Sequence, residues 1–411
     1  MEDDLAARLR ASLAHQEDLL RSTLILNPVE NIPFAEDLIP ASGILHGLYN
    51  SDKRRSRLER INTPIQFAGR QAMESDSREI YAAWARALGA EEATLRLLSG
   101  LHAHIVLFMA MAQPGQKVLL LPVTAGGHVS GKAILQRLGL EVVDMAVDVS
   151  HQRVNIAETL NVWRSERPDY VLVDRSEGLV FEDFSQLAQL PGSTTIFDAS
   201  QFLTNVICGH HPNPIGWGFD LVIASVHKNF PGPQKALLAT RQIDDRWQRI
   251  LSGISTFVSN MHMTSTYAAG LTLARTEWLK EYSSRMLELA VLLEAELALR
   301  DVPVVRRPDG LPTHHLWIRE DSREEAYETY DRLERCQILT NFRQLPYSLG
   351  FGIRLGTSAI ARLGLTTAEV PALADLIADI RREGPTAELQ RAAQQFSEMI
   401  WDRDEARERS D

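Results

Sequence analysis

The chain reads as an α/β protein, with a large domain on a mostly parallel seven-stranded sheet sandwiched by helices and a smaller α+β domain after it. Three observations predict this. From about residue 92 to 240, short apolar runs alternate with stretches of helical spacing, the pattern of strands buried on both faces and joined by crossover helices. Two of those runs end in charged residues, Asp198 and Lys228, at the carboxyl ends of strands, where open parallel sheets bind their ligands. A chain of 411 residues can also bury one large core and a second, smaller one.

Taken in order, residues 2–21 carry leucines at helical spacing (Leu5, Leu9, Leu13, Leu19, Leu20) and predict an amphipathic helix. The stretch from Leu26 to Gln66 holds Pro28, Pro33, Pro40 and Pro64 and is expected to be extended and looping. Residues 72–88 read as a helix closed by Gly89. Strands are expected at Ala93–Leu97, Lys117–Leu121, Glu141–Met145, Tyr170–Val173, Thr195–Phe197, Leu221–Val226 and Leu237–Thr240, with helices at 101–112, 129–138, 155–166 and 183–190. A long helical stretch, 262–299, leads out of this unit. Beyond it lie strands at Val302–Val305, His315–Ile318 and Gly352–Leu355, helices at 323–335 and 367–382, and a charged helical tail. The division expected is an N-terminal helix and arm (1–45), a large domain (46–280) and a small domain (281–411).

Composition removes several classes. Net charge of −11 argues against general nucleic-acid or anionic-membrane binding, and runs such as Lys53–Arg57 are short. Cys208 and Cys336 are too few for a disulfide framework or a thiolate metal site. The acidic start, Met1-Glu-Asp-Asp-Leu, lacks the apolar core of a signal peptide, and no run approaches the roughly 18–20 apolar residues of a membrane span. The expected setting is the cytoplasm, with no metal.

Lys228 closes the apolar run Asp220-Leu-Val-Ile-Ala-Ser-Val-His-Lys228 in a chain poor in lysine. A flexible ammonium there is either a lysine snorkelling to solvent or an amine the site needs. Thirty residues earlier, Thr195-Ile-Phe-Asp198 ends in a carboxylate. The pair suggests an aldehyde cofactor held on the lysine as a Schiff base, its pyridinium nitrogen facing the acid: pyridoxal phosphate. Ser99-Gly100, before a helical run, is either a phosphate cradle or a simple cap. His128 in Gly126-Gly-His128 either stacks on a flat ring or decorates a turn. Asp174 could meet the cofactor or cap its turn, and His227 would sit beside the amine. Arg354, in Gly352-Ile-Arg-Leu-Gly-Thr357, is suited to clamp a substrate carboxylate or to pair with a protein acid.

Together these pieces resemble serine hydroxymethyltransferase and its relatives among the fold-type I pyridoxal-phosphate enzymes, over roughly residues 20–380. The resemblance rests on Val29-Glu-Asn-Ile-Pro33, Leu98-Ser-Gly100, Gly126-Gly-His128, Asp198-Ala-Ser, Ser225-Val-His-Lys228 with Gly232-Pro233, and Gly352-Ile-Arg-Leu-Gly-Thr357 with Ala359-Ile360. It implies that Lys228 carries the imine, Asp198 faces the ring nitrogen, His128 stacks and Arg354 holds the substrate carboxylate. It further implies a homodimer in which Glu30, as acid/base, and Tyr49, reaching the phosphate, cross to the neighbouring subunit.

The chain also departs from that family. Gln201 stands where a histidine is expected, Phe67 replaces a tyrosine, Asp174 replaces a small hydroxyl residue, and Gly232-Pro-Gln-Lys-Ala236 replaces Gly-Pro-Arg-Gly-Gly. Ala224-Ser-Val226 takes the place of threonines, and the loop 341–351 is shorter than one that helps hold folate. These changes leave the cofactor and the amino-acid clamp in place and point away from strict tetrahydrofolate dependence. The expected activity is aldol or retro-aldol chemistry at the Cα of an α-amino acid, of hydroxymethyltransferase, aldolase or transaldolase type. The alternatives are elimination, replacement, cyclisation or racemisation of a specialised amino acid, and a cofactor-less binding protein.

Overall fold

The computed structural model describes residues 2–38, 44–49, 58, 61 and 71–408. Phe67, Gln66, Pro40, Pro64 and the basic run 53–57 lie outside them. The amphipathic helix is α1 (Glu2–Arg21), and a two-residue strand, β1 (Leu24–Ile25), follows it. Helix α2 (Gln71–Leu88) leads into the large sheet, whose strands are β2 (Glu92–Leu97), β3 (Lys117–Leu120), β4 (Glu141–Asp144), β5 (Tyr170–Asp174), β6 (Thr194–Asp198), β7 (Leu221–Ser225) and β8 (Ala236–Thr240). Their spatial order is β2-β8-β7-β6-β5-β3-β4, seven strands, with β8 antiparallel to both neighbours and the other pairings parallel.

The continuous apolar runs are explained by burial on both faces. In β7, Leu221 and Ile223 join one core with Ala103, Val106 and Leu107 of helix α3 (Gly100–Met111) and Trp247, Ile250 and Ile254 of a helix at Asp245–Phe257. Val222 and Ala224 point the other way, into a larger core with Tyr81, Trp84 and Leu88 of α2 that continues through Leu316, Ile353 and Leu355. The period of two within each strand thus divides one run between two cores.

The small sheet has three strands in the order His315–Arg319, Gly350–Gly356, Asn341–Leu345. The arm is tied to this half of the molecule: β1 pairs in parallel with Ile338–Leu339. No helix among the described residues is long and apolar enough to cross a membrane.

Several expectations are corrected. Residues 183–190 form a single 3-10 turn, Ser185–Leu187, not a helix. The stretch 262–299 is two helices, Met263–Ala274 and Thr276–Ala298, and the junction residue Arg275 is drawn to Asp37 (2.9 Å) and stacks over Phe34 (4.2 Å). Val302–Val305 contributes one isolated bridge, Val304 to Ile318. Asn341–Leu345, expected within a loop, is a strand, and Asp245–Phe257 is a helix that periodicity did not single out.

Candidate active site

The parallel register puts Asp174 and Asp198 side by side at the carboxyl ends of β5 and β6. Lys228 lies three residues beyond the end of β7. One pocket gathers Gly100, His104, His128, Asp174, Ser176, Asp198, Gln201 and Lys228. Of the residues chosen from sequence, it therefore unites Gly100, His128, Asp174, Asp198, Gln201 and Lys228. Ser99 stands at its edge as the N-cap of α3, its hydroxyl accepting the His102 N–H at 3.2 Å.

Local chemistry explains each placement. A Cβ on Gly100 would fall 2.6 Å from Ser225 Oγ, so only glycine lets α3 start this close to the end of β7. A Cβ on Gly127 would run into the Leu121 carbonyl, which leaves the turn flush against the sheet and delivers His128. The Lys228 carbonyl accepts from Asn31 Nδ2 at 2.6 Å, and Asn31 also donates to the Tyr282 hydroxyl at 2.9 Å. Next to it, buried Asn229 accepts the Thr204 N–H at 2.7 Å and donates to Asn205 at 2.9 Å. The loop bearing Lys228 is therefore held by a web of amides.

The electrostatics are those of a site short of partners. Ser200 N–H donates to Asp198 Oδ1 at 2.7 Å, and His104 Nε2 lies 2.9 Å from Asp198 Oδ2. Burial opposes the charge of Asp198, but His104, Ser200 and Lys228 outweigh it and hold the carboxyl down at about 2. Asp174 is raised to about 6 by burial, despite His104 and Lys228 nearby. Burial lowers Lys228, which favours the neutral, nucleophilic amine; Asp198 and Asp174 oppose this. His128 falls to about 4 through burial and the neighbouring Lys228, leaving an uncharged ring suited to stacking.

Arg354 is 4 % exposed and sits just outside this group, reaching the Ser176 carbonyl at 3.3 Å and buried Glu177 at 3.9 Å. Glu177 is gripped more closely by Arg343, at 2.6 Å. One carboxylate thus faces two guanidiniums, and burial lowers Arg354 to about 10. Of the two roles left open for Arg354, pairing with a protein acid is seen with Glu177, and that pairing is loose.

Besides Ser99 and Arg354, three of the residues chosen from sequence do not line the pocket. The His227 side chain lies outside its lining and is lowered to about 4, chiefly by burial. Glu30 is exposed, and its pKa is raised by desolvation against the pull of Asn27. Tyr49 follows Leu48, whose carbonyl accepts from Asn260 at 3.1 Å. Sequence reasoning missed Asn31, Glu177, Arg343 and above all His104, a polar residue in the apolar helix run Ala103–Phe108.

Pyridoxal phosphate fits what is present. Buried polar atoms without an aligned partner converge here: Asp174 Oδ2, His104 Nε2, Gln201 Nε2 and, at the rim, Arg354 Nε. Gln201 turns its other amide atom to His315, at 3.3 Å, leaving its donor free for the pocket. An acid for a ring nitrogen, an amine for an aldehyde, a flat neutral ring and a helix N-terminus complete the donor set.

The serine hydroxymethyltransferase family model matches residues 77–377. The chain belongs to the serine hydroxymethyltransferase family. Within it, the chain is 28% identical over 342 residues to a serine hydroxymethyltransferase of Pyrobaculum calidifontis, covering 80% of each. It is 30% identical over 305 residues to a fluorothreonine transaldolase of Streptantibioticus cattleyicolor, covering 72% of this chain and 47% of that protein. An L-threonine transaldolase from Pseudomonas fluorescens superposes with a TM-score of 0.90 at 19% identity, over 97% of this chain and 92% of that one, so the two share a fold.

Proposed function

We propose that the chain is a pyridoxal-phosphate-dependent enzyme of transaldolase type. It would cleave a β-hydroxy-α-amino acid and pass the glycine unit to a second aldehyde, without requiring tetrahydrofolate. The observation that carries this reading is the half-buried Lys228, whose amine shares a pocket with the Asp174–Asp198 pair, with loosely partnered Arg354 at the rim. Bound pyridoxal phosphate would supply an electron-withdrawing ring conjugated to the substrate nitrogen, which labilises the Cα bonds.

The chain's own residues do the rest. Lys228 is the amine that would hold the cofactor. Asp198, low in pKa and braced by Ser200, would keep a proton on the ring nitrogen. His128, uncharged, would lie against the ring face, and Gln201 would donate its free amide N–H to a ring oxygen. Ser99 and Gly100 open α3 with unpaired N–H groups suited to a phosphate. Arg354 would take the amino acid's carboxylate, which fixes the Cα–Cβ bond relative to the ring. Glu30, raised in pKa, would hold the proton of the β-hydroxyl, and Tyr49 would reach the phosphate, both from a second copy of the chain. We further propose a homodimer working in the cytoplasm.

Incubating the purified chain with pyridoxal phosphate, L-threonine and a second aldehyde tests the proposal. Release of acetaldehyde with formation of a new β-hydroxy amino acid, unchanged by added tetrahydrofolate, is expected. Strict folate dependence, or elimination products with no aldehyde exchange, would overturn it.

A further inference from the structure

Asp174 and Asp198 stand adjacent on parallel strands, where two carboxylates cannot both ionise at low cost without a cation between them. Helix α3 supplies one. His104, 4 % exposed and one turn inside the helix, has Nε2 2.9 Å from Asp198 Oδ2 and Nδ1 3.7 Å from Asp174 Oδ2. A ligand atom from each of the three residues lies within 4.8 Å of the others. We infer that His104 is a positioning residue that holds Asp198 from behind and shares protons with Asp174, so that the three side chains set, as one unit, the charge of the carboxylate meeting the cofactor ring. The inference rests on the proposed cofactor reading of the site.

The geometry favours this over a histidine that only fills space. Asp198 Oδ1 is already taken by Ser200 N–H, so Oδ2 is shared between His104 and whatever enters the pocket. His104 Nε2 faces that oxygen at 2.9 Å in a buried place with no aligned acceptor, so the imidazole acts on Asp198 chiefly through its charge. The other titratable groups facing the trio are Lys228, from beyond β7, and His128, from the Gly126–Gly127 turn. Burial works against a charge on His104, and Asp174 and Asp198 reverse the balance, holding its pKa above the ordinary value. An imidazolium on Oδ2 weakens the hold of Asp198 on a ring N–H; passing that proton to Asp174 strengthens it. The direction of proton sharing therefore tunes how strongly the ring withdraws electrons.

The test uses the full chain in two states. In the cofactor-free protein, NMR of 15N-labelled histidine should show one resonance, lost in His104→Asn, that titrates above the ordinary midpoint of about 6.5. It should move down by about one pH unit in Asp174→Asn. In the loaded protein, His104→Leu should weaken cofactor retention by about tenfold, because the buried Asp198 carboxylate loses the polar group that holds it from behind. His104→Asn keeps a donor and should restore retention, yet leave the pH profiles of kcat and of cofactor absorbance displaced, with KM for the amino acid unmoved. A His104 resonance titrating below the ordinary value and indifferent to Asp174 overturns the inference, as does His104→Asn with wild-type pH profiles. Should the His104 variants not fold, the wild-type and Asp174→Asn titrations decide the matter. Failure of the wild type to take up pyridoxal phosphate would instead sink the cofactor reading, and the titration would still report whether the three groups share protons.

Discussion

Arg354 and Arg362 are eight residues apart, both almost fully buried, and opposite in character. Arg362 is held by a close carboxylate of its own: Nη1 contacts Asp404 at 2.6 Å, and the guanidinium lies 3.9 Å from the Phe34 ring centre and 5.6 Å from that of Trp278. Arg354 has one carbonyl at 3.3 Å and a carboxylate at 3.9 Å that belongs more to Arg343. Burial of a guanidinium is therefore no sign of function by itself. A guanidinium at the edge of a pocket without a close carboxylate of its own is a better one, because a ligand's carboxylate can supply that partner.

Lys228→Ala gives the largest expected effect, complete loss of visible cofactor absorbance and of activity with the fold intact. Borohydride reduction and peptide mapping check it, and a label on another lysine would break the assignment. Arg354→Gln comes next. It should lower kcat/KM for the amino acid by about 100-fold, mainly through KM, and leave urea stability near wild type. Arg362→Gln should do the reverse. It strands Asp404 in the interior and should cost about 3 kcal/mol of stability, with KM unchanged. If both variants shift KM alike, a close carboxylate partner does not distinguish a structural arginine from a substrate clamp.

Much of this contrast was visible in the sequence, and its limits are physical. The seven strands were legible because β5 to β8 are buried on both faces, so their apolar runs are unbroken. Asp198, Lys228 and Arg354 were legible because charge at the end of, or inside, such a run stands out. The strand Asn341–Leu345 was not, because it lies at the sheet edge and mixes Asn341, Arg343 and Gln344 with its apolar residues. His104 was hidden because helical spacing says which face a residue takes, and nothing local says that two carboxylates from distant strands wait on that face. Its one signal was a histidine inside an otherwise apolar turn. Glu177 was hidden for the same reason, since its partners come from the far sheet. Arg275 broke a helix that periodicity joined, because Asp37 and Phe34 of the arm capture it.

The carboxylate pair carries a pH signature. The folded-state pKa of Asp174, about 6, lies above its ordinary value, so its contribution to stability is full below about 4 and is lost as pH rises through 6. Asp198, held at about 2, acts in the opposite sense, its contribution present above about 4 and lost as pH falls through 2. Cofactor-free Asp174→Asn should therefore match the wild type near pH 4 and exceed its stability near pH 8. Urea unfolding at the two pH values measures this, and a variant less stable at pH 8 would show that ionised Asp174 is welcome beside His104.

The smallest effect sharpens the comparison most, because it sets two identical caps against each other. Ser99 accepts the His102 N–H at 3.2 Å, and Ser322 accepts the Glu325 N–H at 3.1 Å. Each hydroxyl closes one otherwise open donor at a helix start, and replacing either by alanine should cost about 1 kcal/mol. Ser322 opens a helix on the surface, whereas Ser99 opens the one whose first residue, Gly100, lines the pocket. Ser99→Ala should then also raise the cofactor dissociation constant several-fold, while Ser322→Ala leaves it alone. Equal stability losses with different cofactor affinities would show that a cap at the pocket serves a ligand as well as a helix. Equal affinities would reduce Ser99 to the role Ser322 already has, and the phosphate would have to be held by other donors.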